Sequence, residues 1–171
     1  MDLKEKIRNI PDFPHKGILF RDITTLLKDA DGFQYVIDAF AQRFQNVPVD
    51  MVAGIESRGF IIGAAVAYRL KKGFVPMRKP GKLPAEKLSA EYSLEYGTDR
   101  IEMHTDAINA GDRVLLVDDL LATGGTMKAA CELVEKAGGI VAGCAFIIHL
   151  AGLQGEKCLD KYPLFTLVTY D

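Results

Sequence analysis

The stretch RVLLVDDLLATGGT, residues Arg113–Thr126, decides how this chain folds. Its apolar beginning predicts a buried strand over Arg113–Asp118. Two carboxylates, Asp118–Asp119, follow where that strand is expected to end, and Leu120–Ala122 are expected to turn the chain. The glycines and threonines after them predict a helix over Gly124–Lys136. A buried strand that leads through a short polar turn into a helix is typical of α/β proteins.

The polar end of this stretch predicts a site for a phosphorylated sugar. The first amides of a helix lack backbone partners and carry partial positive charge, so they bind phosphate well. Thr123–Thr126 would place those amides, two glycines and two hydroxyl groups around the phosphate. Carboxylates would repel a phosphate, but they accept hydrogen bonds well from ribose hydroxyl groups. The alternative is an acidic turn before a helix capped by Thr123, which does not explain the order strand, acid pair, small residue and TGGT.

The rest of the chain predicts an α/β fold with a mostly parallel central sheet flanked by helices. Apolar periodicity predicts two further helices, Phe33–Asn46 and about Phe60–Leu70. Further strands are predicted at Val49–Ile55, Gly73–Lys79, Ser93–Tyr96, Arg100–His104, Ile140–Leu150 and Leu164–Thr169. In parallel sheets ligands bind at the carboxyl ends of the strands, where both ESRG after Ile55 and the acid pair would lie.

Two segments lack this regularity. The first is expected to be a short helix on Leu3, Ile7 and Ile10, followed by an irregular arm. The second, Pro80–Ala90, is rich in Pro, Gly and Lys, and long loops of this kind often act as lids. We therefore expect one domain over residues 1–171, with an N-terminal arm over 1–32 and a flexible lid over 80–93.

Composition narrows the class of protein. The 171 residues are 49% hydrophobic and 26% charged, which is ordinary for a globular protein, and the formal net charge of −2 argues against nonspecific nucleic-acid binding. The charged N-terminus does not resemble a signal peptide, and no window approaches a membrane span. Three widely spaced cysteines fit free thiols in a reducing compartment. We therefore expect a cytoplasmic protein with neither nucleic-acid nor membrane partners.

The signature in Arg113–Thr126 resembles that of the type I phosphoribosyltransferases: an apolar strand, two acidic residues and a short Thr/Gly-rich turn. Other segments resemble the adenine phosphoribosyltransferase branch of that family, namely PDFPHKGILFRDIT (Pro11–Thr24), GIESRGF (Gly54–Phe60), MRKPGKLP (Met77–Pro84) and YSLEYGTD (Tyr92–Asp99). The resemblance implies the type I fold, with a lid loop and a small N-terminal hood. It also implies purine salvage, in which the 5-phosphoribosyl group of phosphoribosyl diphosphate is transferred to adenine to give AMP and pyrophosphate.

The resemblance implies roles for individual residues around the sugar and its two phosphate groups. Asp118 and Asp119 would hold the ribose hydroxyl groups. The 5′-phosphate would lie in a phosphate cradle formed by Ala122, Thr123, Gly124, Gly125 and Thr126. Pyrophosphate would be bound by Ser57, Arg58, Arg78 and Lys82, and the peptide before Ser57 is often cis in the family. Lys79 also borders the lid and would add positive charge beside the leaving group.

The resemblance assigns the base and the chemistry to other segments. Adenine would be bound by Leu19, Phe20, Arg21 and Leu150, with Phe20 stacked on the ring and the neighbouring backbone reading its edge. Glu95 matches the catalytic glutamate, which would accept or share the proton that adenine loses. One residue departs from the pattern: His149 stands where the family commonly has an acidic residue. This alters the local hydrogen bonding but not the reaction class.

The resemblance also implies partners. Mg²⁺ is expected to arrive with phosphoribosyl diphosphate, since no dedicated protein cage for a metal is visible in the sequence. A homodimer is expected because the family residue that matches Arg78 reaches the neighbouring subunit's site. Two alternatives remain: a noncatalytic regulator that senses phosphoribosyl diphosphate, and a transferase for another purine base. The first should lack Glu95 or carry a nucleic-acid-binding region, and the second is disfavoured by the ILFRD segment, Ile18–Asp22.

Overall fold

The computed structural model describes residues 1–94 and 96–171. In chain order its strands are β1 (Arg8–Pro11), β2 (Leu19–Asp22), β3 (Met51–Ile55), β4 (Gly73–Met77), β5 (Lys87–Ser93), β6 (Thr98–His104), β7 (Arg113–Leu121), β8 (Ile140–Leu150) and β9 (Leu164–Tyr170). Its α-helices are α1 (Thr24–Leu27), α2 (Ala30–Phe44), α3 (Arg58–Leu70) and α4 (Gly125–Lys136).

A parallel sheet forms the centre of the molecule. Among the described residues it has five strands in the order β4-β3-β7-β8-β9, all paired in parallel. Strand β7 is the middle strand, so the site-bearing stretch lies in the best-covered part of the sheet. The predicted α/β class with a parallel sheet is confirmed.

Helices cover both faces of this sheet. Side chains alternate along a strand, and Leu115 and Val117 of β7 pack with α2 and α3, while Val114 and Leu116 pack with α4 and the β5-β6 hairpin. All four of these β7 side chains are buried, which explains the continuous apolar run in the sequence. Helix α2 begins earlier than predicted because the Asp29 carboxylate caps it, accepting a hydrogen bond from the Gly32 amide at 3.1 Å.

The N-terminal segment differs from its prediction. It forms a 3₁₀ turn at Lys4–Lys6 and then strand β1, which pairs antiparallel with β2, instead of a helix up to Pro11. The spacing of Leu3 and Ile7 did indicate burial correctly, since both are buried against α2. The strand is determined by a partner that lies later in the chain, which local periodicity does not reveal.

The segment predicted as a lid also contains more regular structure than expected. Strand β5 begins at Lys87 and pairs antiparallel with β6 along its whole length. Ala90 and Tyr92 are its buried side chains, at the alternating spacing of a strand that packs one face on the core. The part without helix or strand is therefore residues 78–86 and not the whole of Pro80–Ala90.

Strand β7 is longer than predicted. It continues through Asp118 and Asp119 to Leu121, because β8 pairs with it as far as Leu121 opposite His149. The acid pair therefore belongs to the strand, and the turn starts at Ala122. Within the described part of the chain, no helix is long and apolar enough to cross a membrane.

Candidate active site

The end of β7 and the start of α4 enclose a cavity of about 80 Å³. The predicted cradle residues line it together with Asp118: the full lining is Asp118, Leu120, Leu121, Ala122, Thr123, Gly124, Gly125, Thr126, Met127 and Phe146. The helix is capped by Gly124, which has no side chain, and not by Thr123 as the structural alternative required. The first amides of α4 are therefore directed at this end of the sheet, where an anion would be stabilised.

Gly124 is required at its position for two reasons. Its φ of +84° lies in the left-handed region, which side chains disfavour. A Cβ there would lie 2.5 Å from the carbonyl oxygen of Gly155 and 2.4 Å from the Cys158 sulfur. The cradle is therefore packed closely from behind by another segment of the chain.

The two carboxylates of the acid pair have different surroundings. Asp118 lines the cavity, whereas Asp119 is only 5% exposed and forms an ion pair with the Arg58 guanidinium. Burial and the neighbouring Asp119 carboxylate raise the pKa of Asp118 well above its usual range. Burial opposes the charged form of Arg58, but Asp119 and Asp118 outweigh it and raise its pKa.

The turn between β3 and α3 contains Ser57 and brings Arg58 to the acid pair. The Glu56–Ser57 peptide is cis, in agreement with the prediction. Gly59 allows the close approach of α3, because a Cβ there would lie 2.9 Å from both the Asp118 carboxylate and the Val117 carbonyl oxygen. Gly59 had no predicted role, although its place directly after the predicted anion-binding arginine was a signal.

Glu56 contacts two other predicted pyrophosphate ligands, Arg78 and Lys82. Its carboxylate forms an ion pair with Lys82, lies 3.5 Å from Arg78 Nε, and accepts a hydrogen bond from the Lys79 amide at 2.8 Å. Burial would raise the pKa of the Glu56 carboxyl, but these contacts, led by the Lys82 hydrogen bond, outweigh it and lower the pKa. Glu56 was not predicted as a site residue, because its partners lie more than twenty residues away in the chain. We call Arg58, Arg78 and Lys82 the cation cluster.

The Lys79 side chain lies in a different network. It donates to the Tyr92 hydroxyl and to the Asp99 carboxylate, the latter at 2.7 Å. Burial would lower the pKa of Lys79, but hydrogen bonds to Asp99 and Tyr92 outweigh it and raise the pKa. The Lys79 side chain therefore ties the β5-β6 hairpin to the end of β4, whereas its backbone amide binds Glu56.

The predicted base-binding residues are linked to this site through aromatic contacts. The Phe20 ring lies 5.7 Å from the Arg58 guanidinium and packs edge-to-face with Phe13 at 5.1 Å. The Arg21 guanidinium lies 3.8 Å from the Tyr170 ring, and Tyr170 pairs with Leu150 across β8 and β9. Leu19 is 47% exposed on the same hairpin. The N-terminal arm and the end of β8 are thus brought to the same side of the molecule as Arg58.

Comparison with known proteins identifies the family. The family described as phosphoribosyl transferase domain matches residues 22–169. This chain belongs to the phosphoribosyltransferase family. It is 61% identical over 175 aligned positions to the adenine phosphoribosyltransferase of Chlorobium phaeovibrioides, covering 100% of this chain and 99% of that relative. The resemblance to the adenine-specific branch is therefore confirmed.

Solved structures of phosphoribosyltransferases have the same fold. A crystal structure of adenine phosphoribosyltransferase from Thermoanaerobacter pseudethanolicus matches with a TM-score of 0.96 at 54% identity, covering 99% of this chain and 98% of that one. The enzyme from Saccharomyces cerevisiae, solved with adenine and an imino-altritol bisphosphate, matches with a TM-score of 0.93 at 43% identity, covering 98% and 97%. The type I phosphoribosyltransferase fold is confirmed.

The two remaining predictions concern Glu95 and His149. Glu95, the predicted catalytic residue, lies outside the described residues. The neighbouring end of β5 lies against the cradle, since a Cβ on Gly125 would meet the Ser93 carbonyl oxygen at 3.7 Å. His149, the departure from the family pattern, lies 3.0 Å from the Glu156 carboxylate through its Nε2. An acidic group therefore lies beside position 149, although residue 149 itself is a histidine.

Proposed function

We propose that this protein transfers the 5-phosphoribosyl group from phosphoribosyl diphosphate to adenine and releases AMP and pyrophosphate. The observation that carries the proposal is the single cavity that Asp118 and all five cradle residues line at the start of α4. It suits a 5′-phosphate on a ribose because anion-binding amides and a hydroxyl-binding carboxylate lie side by side. Full-length identity to adenine phosphoribosyltransferases supports adenine as the acceptor.

In the proposed reaction the C1′–O bond to the diphosphate breaks, and its electron pair leaves with pyrophosphate. Adenine N9 forms the new bond to C1′ and loses its proton. The cradle of Ala122–Thr126 would hold the 5′-phosphate throughout, and Asp118 and Asp119 would hold the ribose hydroxyl groups. Fixing the sugar at both ends would keep C1′ in line between the base and the leaving group.

The cation cluster would bind the leaving pyrophosphate together with Ser57. All three cations already have carboxylate partners, Asp119 for Arg58 and Glu56 for Arg78 and Lys82. Pyrophosphate carries more negative charge than a carboxylate. It would displace these carboxylates from the cations as the charge of the leaving group develops. Arg78 Nε is buried and has no hydrogen-bond partner among the described residues, which leaves it able to donate to an added acceptor.

Adenine would lie between the N-terminal hood and the end of β8. Phe20 is proposed to stack on the base, the backbone at Leu19 and Arg21 to read its edge, and Leu150 to pack from the other side. The contacts that support this arrangement are those of Phe20 with Arg58 and of Tyr170 with Arg21.

Glu95 is proposed to accept or share the proton that adenine loses. We predict that Glu95→Gln lowers kcat strongly and changes the Kd of phosphoribosyl diphosphate little, because the amide keeps the shape but loses the basic oxygen. Single-turnover rates and calorimetric titration with phosphoribosyl diphosphate measure the two quantities separately. Equal losses in both would assign Glu95 to binding instead of chemistry.

Mg²⁺ is the proposed cofactor, and the donor chemistry of the site suits it. The carboxylate of Asp118, which lines the cavity, is a hard oxygen donor, and diphosphate oxygens would be further donors of the kind that Mg²⁺ prefers. When bound, the ion would neutralise part of the diphosphate charge. We propose that it arrives with phosphoribosyl diphosphate and is held mainly by substrate oxygens.

A homodimer is also proposed, with Arg78 reaching towards the neighbouring subunit. Helix α3 supports a protein partner: Ile61 is 48% exposed and Tyr68 is 86% exposed, two turns apart on one helical face. We further propose that the chain is one domain, that it acts in the cytoplasm, and that its partners include neither nucleic acid nor membrane.

The predicted lid, residues 80–93, is proposed to close over both substrates through its irregular part, residues 80–86, and to exclude water from the reacting sugar. The loop is anchored through Lys82 to Glu56 and through the Ala85 amide to His104 at 3.3 Å. Saturating phosphoribosyl diphosphate with an adenine analogue should protect this segment from proteolysis. Unchanged cleavage would contradict the lid.

The test of the proposed function is AMP formation from phosphoribosyl diphosphate and Mg²⁺, with adenine, hypoxanthine and guanine supplied in turn. Turnover with adenine far above that with the other bases is expected. Equal turnover with hypoxanthine or guanine would favour a transferase for another purine. Binding of phosphoribosyl diphosphate without turnover of any base would favour the noncatalytic regulator.

A further inference from the structure

A second segment of the chain packs directly behind the cradle. The 3₁₀ turn at Gly155–Leu159, which we call the brace, places Gly155 against the backbone of the cradle. A Cβ on Gly155 would lie 2.3 Å from the Ala122 carbonyl oxygen and 2.9 Å from the Gly124 amide nitrogen. Contacts this short leave no room for any side chain at 155 unless the cradle backbone moves.

Interactions at both ends hold the brace in place. At its end Leu159 is 1% exposed and is part of the core beneath α4. Next to it the Cys158 thiol donates to the Gly155 carbonyl oxygen at 3.1 Å and lies 3.6 Å from that of Thr123. At its beginning Glu156 is joined to His149 at 3.0 Å.

The His149–Glu156 contact connects the brace to the sheet. His149 lies on β8 directly beside Leu121, the last residue of β7 before the cradle. Its side chain is 14% exposed, so the contact with Glu156 is partly shielded from water. Thus the strand beside the cradle holds the segment that packs behind the cradle.

We propose that Gly155 and the His149–Glu156 pair are positioning residues that hold the cradle in the geometry needed to bind the 5′-phosphate. Neither Gly155 nor the pair belongs to the cavity lining, so they act through Ala122 and Gly124 and not by touching the ligand. A phosphate held by several backbone amides is sensitive to small displacements, because each hydrogen bond weakens as its geometry departs from ideal. The choice of phosphoribosyl diphosphate as the ligand rests on the proposed function.

The chain offers a matched pair of glycines for the test. Gly155→Ala adds a methyl group against the cradle, whereas Gly152→Ala, in the same connection, meets only the Asp171 backbone at 3.8 Å. Calorimetric titration with phosphoribosyl diphosphate and Mg²⁺ should give a Kd about tenfold higher for Gly155→Ala and unchanged for Gly152→Ala. The KM for adenine should stay unchanged, since none of the proposed base-binding residues is among the nearest neighbours of the added methyl group.

The His149–Glu156 contact provides a test that does not alter backbone packing. Glu156→Ala should raise the Kd for phosphoribosyl diphosphate about threefold, and Glu156→Gln should restore most of the affinity because its amide oxygen still accepts from His149. If the pair only stabilised the fold, Glu156→Ala would lower the melting temperature and Glu156→Gln would not restore the affinity for phosphoribosyl diphosphate. The KM for adenine would then change as much as the Kd for phosphoribosyl diphosphate.

The outcomes separate this inference from the proposed function. If the wild type binds phosphoribosyl diphosphate and both Gly155→Ala and Glu156→Ala bind it with the same Kd, only the positioning role is overturned. If Gly155→Ala does not fold, unchanged affinity in Glu156→Ala overturns it. Wild-type protein that does not bind phosphoribosyl diphosphate would overturn the proposed function.

Discussion

The cradle and the cation cluster lie at the same end of the sheet but are held in place by different forces. The cradle is fixed by close backbone packing, with Gly124 and Gly155 in direct contact. The cation cluster is held by ion pairs, and its basic side chains are between 33% and 45% exposed. Close packing resists displacement, whereas exposed ion pairs contribute little and exchange partners easily. One half of the site is therefore preformed, and the other half is able to rearrange around its ligand.

Among single substitutions, the largest expected effect on binding comes from disturbing the preformed half. Gly124→Ala adds a side chain at a left-handed φ and against Gly155, so we expect the Kd for phosphoribosyl diphosphate to rise about a hundredfold. Gly111→Ala is the matched control: its φ is +86°, but no heavy atom lies within 4 Å of the added Cβ. The control should lose about 1 kcal/mol of stability and no affinity. Equal losses of affinity in both variants would mean that backbone strain, and not cradle packing, determines binding.

A smaller effect is expected in the half that can rearrange. Glu56→Gln removes the carboxylate that pyrophosphate would have to displace from Arg78 and Lys82. We therefore expect the inhibition constant of pyrophosphate to fall about threefold. Asp38→Asn, which removes a carboxylate from the exposed pair with Arg69, is the control and should leave it unchanged. Weaker pyrophosphate binding in Glu56→Gln would show that Glu56 orients the cations instead of competing for them.

The sequence predicted the preformed half far better than the other. The strand, the acid pair and the cradle are contiguous in Arg113–Thr126, and α4 directly follows them. Local patterns of residues were therefore sufficient to predict this half of the site. The roles of Glu56, Gly59 and Gly155 arise from contacts with residues distant in the chain, which periodicity and motif spacing do not reveal. For the same reason β1 was predicted as a helix, since its partner β2 lies beyond the turn.

The effect expected in the hood that would cover the base is on stability and not on affinity. Burial would raise the pKa of Asp22, but hydrogen bonds from the Thr24 amide and from Arg8 outweigh it and lower the pKa to about 2. A lowered pKa means that the ionised carboxyl stabilises the folded state above its unfolded pKa of 3.8, and that this contribution is lost as the pH falls towards 2.

Asp22→Asn should therefore lower the free energy of unfolding by about 1 kcal/mol at pH 7, and the difference from wild type should shrink between pH 5 and pH 2. Urea titrations at several pH values measure this difference. The exposed Asp106 provides the control, because Asp106→Asn should leave stability unchanged at each pH. A difference that grows on acidification would contradict the assigned contacts of Asp22.

The most direct test of the central claim is calorimetric titration of phosphoribosyl diphosphate, with Mg²⁺, into wild-type protein and into the double variant Asp118→Asn, Asp119→Asn. We expect binding to the wild type and none to the double variant, because the two carboxylates are proposed to hold the ribose and Asp119 also orients Arg58. Retained affinity in a folded double variant would contradict the claim that this acid pair and the cradle beside it hold a phosphorylated ribose.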